Sequence, residues 1–245
     1  MQEEIPLHDY NAPALPSPFD LQVKEAAKED ISPWLKAYRD LMGTSVDQFH
    51  VLIGQKRQFD LIDAAGGLYV RKSEHGFYTF RIDRVISNVR PERLMHVIKD
   101  YALETRIKWD YDNVSFVSQR ETYADDNIHY VECTVKSQQN PRMVWDRHVM
   151  GICWTEYNPR TATYTHVLRT TQHRLWRCPA TAVNVIGLMG VKIRILEDDK
   201  IEFIMIANFN PGNSLPSFLV DPRAMMRRVD LYVSVARDFD QYYTK

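Results

Sequence analysis

The sequence predicts an α+β domain in which a curved antiparallel sheet wraps one long carboxy-terminal helix. Short segments rich in Val, Ile, Tyr and Phe recur between residues 49 and 209 with turn residues between them, which is typical of antiparallel hairpins. A broad apolar stripe at helical spacing follows Pro216. Several strand segments are apolar on both faces, so we expect the long helix on one face and amino-terminal helices or a partner on the other.

The amino-terminal residues predict a flexible leader, 1–18, ahead of one folded domain, 19–245. The leader contains four of the 12 prolines and few large apolar residues. Between 20 and 42, apolar residues recur at helical spacing. Proline is favourable in the first turn of a helix but not in its interior, so we expect a helix to begin or kink at Pro33.

The remaining chain predicts strands and helices in a definite order. Three strands joined by glycine turns are expected between 49 and 86, followed by a helix that opens at Pro91 and a short helix or turn over 103–109. Further segments with strand character are 114–123, 128–137, 143–157, 161–171 and 183–209, the last divided by an acidic turn. After Pro216 the apolar stripe is long enough for a helix of about seven turns.

The composition is that of an ordinary globular protein that folds by itself, and a monomer is favoured. Apolar residues make up 44% and charged residues 26%, and 31 basic against 32 acidic residues give a formal charge of −1. A protein that neutralises many phosphates has a basic surplus, so we expect no nucleic-acid partner. Arg223, Arg227 and Arg228 form either a solvated helix face or a contact with an anionic membrane surface.

Neither a metal nor a cofactor is predicted. Cys133, Cys153 and Cys178 are an odd number without metal-ligand spacing, and the common signatures of nucleotide, zinc, calcium and serine-hydrolase sites are missing. The chain begins without the basic and apolar regions of a secretory signal, and its longest apolar window, 180–191, is too short to span a bilayer. We therefore expect a cytoplasmic protein that contacts membranes only peripherally.

Strand alternation identifies candidate interior residues. Arg147 shares a face with Val149 and Cys153 on one predicted strand, and Glu132 shares a face with Tyr130 on the preceding one. If these two faces coincide, Arg147 and Glu132 are partners that line an interior. The alternative is an ion pair at the rim or surface, since a buried charge is costly unless it is paired.

Three apolar residues are further candidates for the wall of a ligand cavity. Trp109 either stacks on a ligand headgroup or belongs to the core. Met225 and Val229 lie in the carboxy-terminal stripe and form either an adaptable cavity wall or ordinary core packing. Gly187 and Gly190 interrupt an apolar strand, which indicates a bend or a bulge.

Four short motifs occur in the order known from one family. Residues 210–220 read NPGNSLPSFLV and resemble the passage from the last strand into the carboxy-terminal helix of StAR-related lipid-transfer (START) domains. Residues 107–110, IKWD, resemble the Trp-Asp that closes that family's helical insertion. Residues 145–149, WDRHV, resemble its Arg-Asp-Phe-Val strand start, and 170–179 is similar to its Ser-x-x-His-x-x-x-Pro region.

This resemblance implies a helix-grip fold that encloses a tunnel for one lipid, a phospholipid, sterol or sphingolipid, which is exchanged at membranes without catalysis. The terminal helix and the turn before it, with Asn210, Pro211 and Pro216, would act as a lid. Departures from the family pattern are Asn210 in place of Asp, Asn213 in place of Gly, and His148 in place of Asp. Ligand identity does not follow from the motifs.

Two other functions stay open at this point. The first is a hydrolase or cyclase of the same architecture, with Glu132 or His148 as a general base in an apolar pocket. The second is a module that senses a lipid without moving it. Of the tunnel candidates, Arg147 alone corresponds to a family motif.

Overall fold

The computed structural model describes residues 32–72, 78–112, 114–123, 127–136, 146–173, 177–180, 182–197, 199–210 and 221–244. The helices are α1 (Ser32–Gly54), α2 (Pro91–Ile98), α3 (Leu103–Asp110), α4 (Arg223–Arg237) and α5 (Phe239–Tyr243). The strands are β1 (Asp60–Asp63), β2 (Leu68–Lys72), β3 (Tyr78–Ser87), β4 (Val114–Tyr123), β5 (Ile128–Val135), β6 (Asp146–Asn158), β7 (Thr163–Thr170), β8 (Ala182–Asn184), β9 (Ile186–Ile195) and β10 (Lys200–Asn210). The predicted leader, Pro211 and Pro216 lie outside the described residues.

Helix α1 begins at Ser32, which places Pro33 in its first turn as predicted. It continues to Gly54, well beyond the expected end at residue 42. The reason is a stripe of buried residues that follow one another at intervals of three or four and continue past residue 42. Gly43 is not one of the stripe positions, so it does not end the helix. The buried residues of the stripe are Tyr38, Met42, Ser45, Phe49 and Leu52.

The strands form one open sheet in the order β1-β2-β3-β10-β9-β7-β6-β5-β4. All pairs along this order are antiparallel, and β8 pairs in parallel with β6. The predicted antiparallel hairpins are confirmed by the neighbouring pairs β4–β5, β5–β6 and β9–β10. The segment expected over 183–209 contains three strands instead of two. After β7 the chain first forms the short strand β8, which pairs with β6, and then the β9–β10 hairpin.

Helices cover both faces of the sheet. One face, here called the α4 face, packs against α2, α3 and α4 through a core that includes Ile82, Phe203 and Val229. The opposite face, here called the α1 face, packs against α1 through a second core that includes Phe49 and Ile206. The prediction that strands apolar on both faces are covered on both sides is therefore confirmed.

The carboxy-terminal helix is shorter than the sequence predicts. Helix α4 has 15 residues, which is about four turns, and it ends at Arg237, before α5 begins at Phe239. At its start, a carboxylate oxygen of Asp221 accepts a hydrogen bond from the backbone N–H of Arg223 at 2.9 Å. Within the described part of the chain, no helix is both long and apolar enough to cross a membrane.

Gly190 allows α1 to dock closely and does not mark a bulge. Its pairing is in regular register on both sides, with Val167 on β7 and Ile206 on β10. A Cβ atom built on Gly190 would lie 2.2 Å from the ring of Phe49, which is fully buried. Of the two alternatives predicted for this position, the bulge is therefore wrong and the bend stays a prediction. The absence of a side chain makes room for an aromatic ring of α1.

Replacing Gly190 by Ala is expected to lower the free energy of unfolding by about 2 kcal/mol, because Phe49 would have to move within a packed core. The measurement is chemical denaturation followed by circular dichroism. The matched control is Gly43→Ala within α1, where an added Cβ meets nothing within 4 Å. That change should stabilise the protein by about 0.5–1 kcal/mol, because alanine favours the helix. Equal effects of the two changes would contradict the assigned role of Gly190.

Candidate functional site

Three of the sequence-predicted residues lie together on the α4 face of β6. Arg147, Val149 and Cys153 share one face of the strand, and Cys153 packs with Val131 and Leu168 in a small apolar cluster. Val149 contacts the edge of this cluster and stays partly accessible. These positions lie between the sheet and the region of α3 and α4.

Tyr130 and Glu132 lie on the opposite, α1 face. Directly paired residues of antiparallel strands share a face, and Glu132 is paired with Met150, which belongs to the α1-face core. The ring of Tyr130 is fully buried and lies 6.1 Å from that of Tyr38 of α1. The expectation that Glu132 and Arg147 share an interior is therefore wrong: the register places them on different faces.

The α4 face is less completely filled near β5 and β6 than near β2, β3, β9 and β10. Tyr101, Val149 and Met189 contact the Val131 cluster but remain partly accessible. Cys133 on β5 is also partly accessible. Burial nevertheless raises the pKa of the Cys133 thiol to about 11 and raises the pKa of Tyr101 well above its ordinary value. These two side chains thus combine accessible surface with a strongly desolvated environment.

A buried ionic cluster joins α3 to α4. Asp110 is 1% exposed and accepts hydrogen bonds from Nε of Arg106 at 2.9 Å and from Nη1 of Arg228 at 2.6 Å. Arg106 and Asp110 are four residues apart on α3, so their side chains meet on one helix face. Because both arginines bind the same carboxylate, the cluster fixes the first half of α4 to α3.

The remaining donors of Arg106 are also engaged. Its guanidinium donates to the carbonyl oxygens of Val97 and Asp100 at 3.3 Å and to the hydroxyl of Tyr232 at 3.3 Å. Burial by itself lowers the pKa of Arg106, but Tyr232 and Asp110 raise it overall, so the charge is retained. The guanidinium also stacks on the ring of Trp109 at 4.2 Å.

Two of the predicted cavity residues belong to the core. Trp109 is 9% exposed, and its Nε1 donates to the hydroxyl of Tyr243 at 3.0 Å, so it connects α3 with α5. Val229 is fully buried between α4 and the sheet. Met225, one helical turn earlier, packs against the same core but stays partly accessible.

A second polar group on the α4 face is uncharged. His166 is fully buried on β7, and its Nε2 lies 3.2 Å from the hydroxyl of Tyr101. Its Nδ1 lies 2.9 Å from Oγ1 of Thr155. Burial, with a smaller effect of Lys99, lowers the pKa of His166 to about 3, so its imidazole is neutral at physiological pH.

The three arginines predicted at a membrane surface do not share one environment. Arg223 and Arg227 are exposed, and Arg227 pairs with Asp221 at 2.8 Å. Arg228 instead points inward to Asp110, because one residue step rotates its position by about 100° around α4. The assignment of Arg228 to a surface contact is therefore wrong.

The residues considered as general bases lie on the α1 face, away from Arg147. His148 is 2% exposed, and its Nδ1 lies 2.7 Å from Oγ1 of Thr134. Glu132 lies on the same face, paired with Met150. Among the described residues there is no group of three potential metal ligands.

Sequence reasoning missed Arg106, Tyr101 and His166 as parts of an interior site. The spacing of Arg106 and Asp110 on one helix was a usable signal, because an i, i+4 pair faces one side. Tyr101 and His166 are 65 residues apart and meet only through the tertiary fold. Asn210, expected in the turn before the last helix, is the last residue of β10.

Comparison with solved structures shows the fold. Human StAR-related lipid transfer protein 5 superimposes with a TM-score of 0.69 at 17% identity, covering 83% of this chain and 99% of that one. Human STARD10 gives 0.67 at 18% identity, covering 80% and 81%. A fragment of the StAR-related lipid transfer protein from Xanthomonas axonopodis gives 0.56 at 16% identity, covering 75% and 99%. No protein-family model and no curated protein matches the sequence.

These superpositions confirm the predicted architecture. The open antiparallel sheet with its carboxy-terminal helix is the helix-grip fold of START domains. At identities below 20% the likeness concerns the fold, and the function must be argued from the site.

Asp110→Asn is expected to lower the free energy of unfolding by about 3 kcal/mol, because it leaves two guanidinium groups without their buried carboxylate. The control is Asp221→Asn, which removes an exposed partner of Arg227 and should cost less than about 1 kcal/mol. Urea denaturation at one pH measures both variants. Similar values for the two would show that the α3–α4 cluster contributes little.

Burial of neutral His166 makes the protein less stable in mild acid. Its pKa in the folded protein is about 3, below the ordinary value of 6.5, so the unfolded chain takes up a proton first as the pH falls. Between pH 7 and pH 5 this should remove about 2 kcal/mol of the free energy of unfolding.

Urea denaturation of His166→Gln and wild type over this pH range tests the assignment. The variant should lose most of the His166 contribution to the pH dependence, whatever its stability at pH 7. The exposed His50 provides a control, since His50→Gln should retain the full dependence. An unchanged slope in His166→Gln would contradict the assignment.

Proposed function

We propose that this protein binds one lipid between the α4 face of the sheet and helices α3 and α4, and exchanges it between membranes. One observation carries the proposal: Tyr101 and Cys133 have accessible surface although burial dominates the pKa of both groups. Together with the partly accessible apolar side chains around them, this combination supports a space inside the protein beside Tyr101 and Cys133.

The chemistry of this space suits a lipid tail. Val131, Val149, Leu168 and Met189 surround it with apolar surface, and methionine adapts to irregular shapes. An apolar chain that leaves water for such a space gains about 25 cal/mol per Å² of buried area. Residues Glu132 and His148, on the other face of the sheet, take no part in this binding.

Helix α4 is the element that we expect to move during lipid exchange. Its first half is attached by polar contacts, Arg228 to Asp110 and Asp230 to Arg84 at 2.7 Å. Its second half carries most of the buried core contacts, among them Val235 and Ala236, whereas Val229 is the one buried side chain of the first half. Polar contacts can be exchanged for water or for lipid headgroups, so opening at the amino-terminal half of α4 costs less than opening at the other end.

The start of α4 also supports transient contact with an anionic membrane. Arg223 and Arg227 project into solvent there, and the partner of Arg227 among the described residues is exposed Asp221. Near a negatively charged bilayer each such arginine contributes about 1 kcal/mol of attraction. The membrane would then act at the end of the helix where the polar attachment lies.

Val149→Trp is expected to reduce lipid transfer between liposomes by about tenfold or more, because the indole would occupy the proposed lipid space. Transfer of a fluorescent phospholipid or sterol from donor to acceptor vesicles measures the rate, and native mass spectrometry of the purified protein measures co-purifying lipid. The thermal transition should remain cooperative in the variant.

The matched control is Val85→Trp, at a strand position that is 59% exposed on the opposite face. It makes the same change in side-chain size, and transfer should remain within about twofold of wild type. Equal transfer by wild type and Val149→Trp, or no uptake of any lipid by wild type, would refute the proposed site.

A further inference from the structure

We propose that the hydroxyl of Tyr101 binds an uncharged hydroxyl group of the lipid and so determines its specificity. This inference rests on the proposed lipid-binding function and adds the chemical class of the group that is recognised. It follows from the position of Tyr101, from its hydrogen bonds, and from the distribution of charge on the α4 face.

Tyr101 lies where a ligand in the proposed space would meet it. Its side chain packs against Val131, Cys153 and Leu168 and retains accessible surface. Its hydroxyl is anchored by Nε2 of His166 at 3.2 Å, and His166 is itself held by Thr155 at 2.9 Å. The phenol is thus fixed by a fully buried partner. Because its side chain is already restrained, Tyr101 would lose little conformational entropy when a ligand binds.

The hydrogen bond to His166 leaves capacity on the phenol. Neutral imidazole has one donor and one acceptor nitrogen. If Tyr101 donates to Nε2, its oxygen is left to accept a hydrogen bond; if Nε2 donates, the phenol proton is left to donate. The Cys153 thiol also forms a hydrogen bond with Tyr101, but a thiol is a weak partner that a ligand hydroxyl group can displace. A hydroxyl group both donates and accepts, so it matches Tyr101 in either arrangement.

Charge disfavours an ionised headgroup at this point. Burial keeps Tyr101, Cys153 and His166 uncharged at neutral pH. The nearest buried charges on α3, Arg106 and Asp110, are bound to each other and to surrounding groups. Lys99, a cation that acts on His166 and Cys153, is itself exposed, so water screens its charge. A phosphate or ammonium group beside Tyr101 would therefore lose its hydration without gaining a buried opposite charge that is not already bound.

The charged end of the face is far from Tyr101. Arg147 is six residues from Cys153 along β6, which corresponds to about 20 Å of extended strand. A lipid whose hydroxyl binds Tyr101 would therefore extend its apolar part along Val149 towards the Arg147 end. Sterols, diacylglycerols and ceramides all present such a hydroxyl group.

The test uses lipid pairs that differ in one hydroxyl group. Cholesterol is compared with cholesterol methyl ether, and dioleoylglycerol with its methyl ether, each extracted from liposomes by the full-length protein and quantified by mass spectrometry. Wild type should retain at least one hydroxyl lipid about tenfold better than its ether. The pair that shows the preference distinguishes a sterol from a glycerolipid ligand.

Tyr101→Phe should reduce this preference to less than about twofold while ether binding persists. The control is Tyr164→Phe, whose hydroxyl lies 3.4 Å from Oε1 of Glu92 at the periphery; it should retain the wild-type preference. If Tyr101→Phe does not fold, the preference of wild type for the hydroxyl lipid over its ether is the result that tests recognition of a hydroxyl group.

The remaining outcomes separate the two proposals. Uptake of hydroxyl lipids and ethers to equal extents by wild type, or uptake of a phospholipid in preference to both, would overturn the role of Tyr101 and leave lipid binding intact. Failure to take up any of these lipids, phosphatidylcholine included, would overturn both.

Discussion

A sheet that is apolar on both faces must be covered on both, and this requirement determines where the helices lie. Helix α1 covers one face completely enough that a glycine on β9 is needed to admit the Phe49 ring. The helices on the other face pack most fully against β2, β3, β9 and β10. Towards β5 and β6 the cover is incomplete, although protein interiors are normally close-packed. The proposed lipid completes that face.

The polar groups of the α4 face form two clusters, one charged around Asp110 and one neutral around His166. Around Asp110 two cations share one anion, and the contacts link secondary-structure elements whose relative movement would open the site. Around His166 all groups are neutral and the contacts are local to the sheet and Tyr101. In the proposed function the first arrangement would stabilise the closed form of the protein, whereas the second would select the ligand.

Local patterns in the sequence predicted local structure well and relations between elements less well. The start of α1 at Pro33, the hairpins and the shared face of Arg147, Val149 and Cys153 follow from periodicity within one segment. Whether Glu132 and Arg147 lie on the same face of the sheet depends on the register between two strands. The periodicity within each strand does not determine that register. The inward direction of Arg228 likewise depends on how α4 is rotated against α3, and the Tyr101–His166 contact on the whole fold.

Strands β3 and β10 are neighbours in the sheet although most of the domain separates them in sequence, with Thr79 paired to Asn208. Closing so long a loop costs chain entropy that local hairpins such as β4–β5 and β5–β6 do not incur. During synthesis the hairpins can therefore form while the ribosome is still translating. The face that α4 covers stays open until α4 itself has emerged, so the synthesis of this helix is decisive for the solubility of the nascent chain.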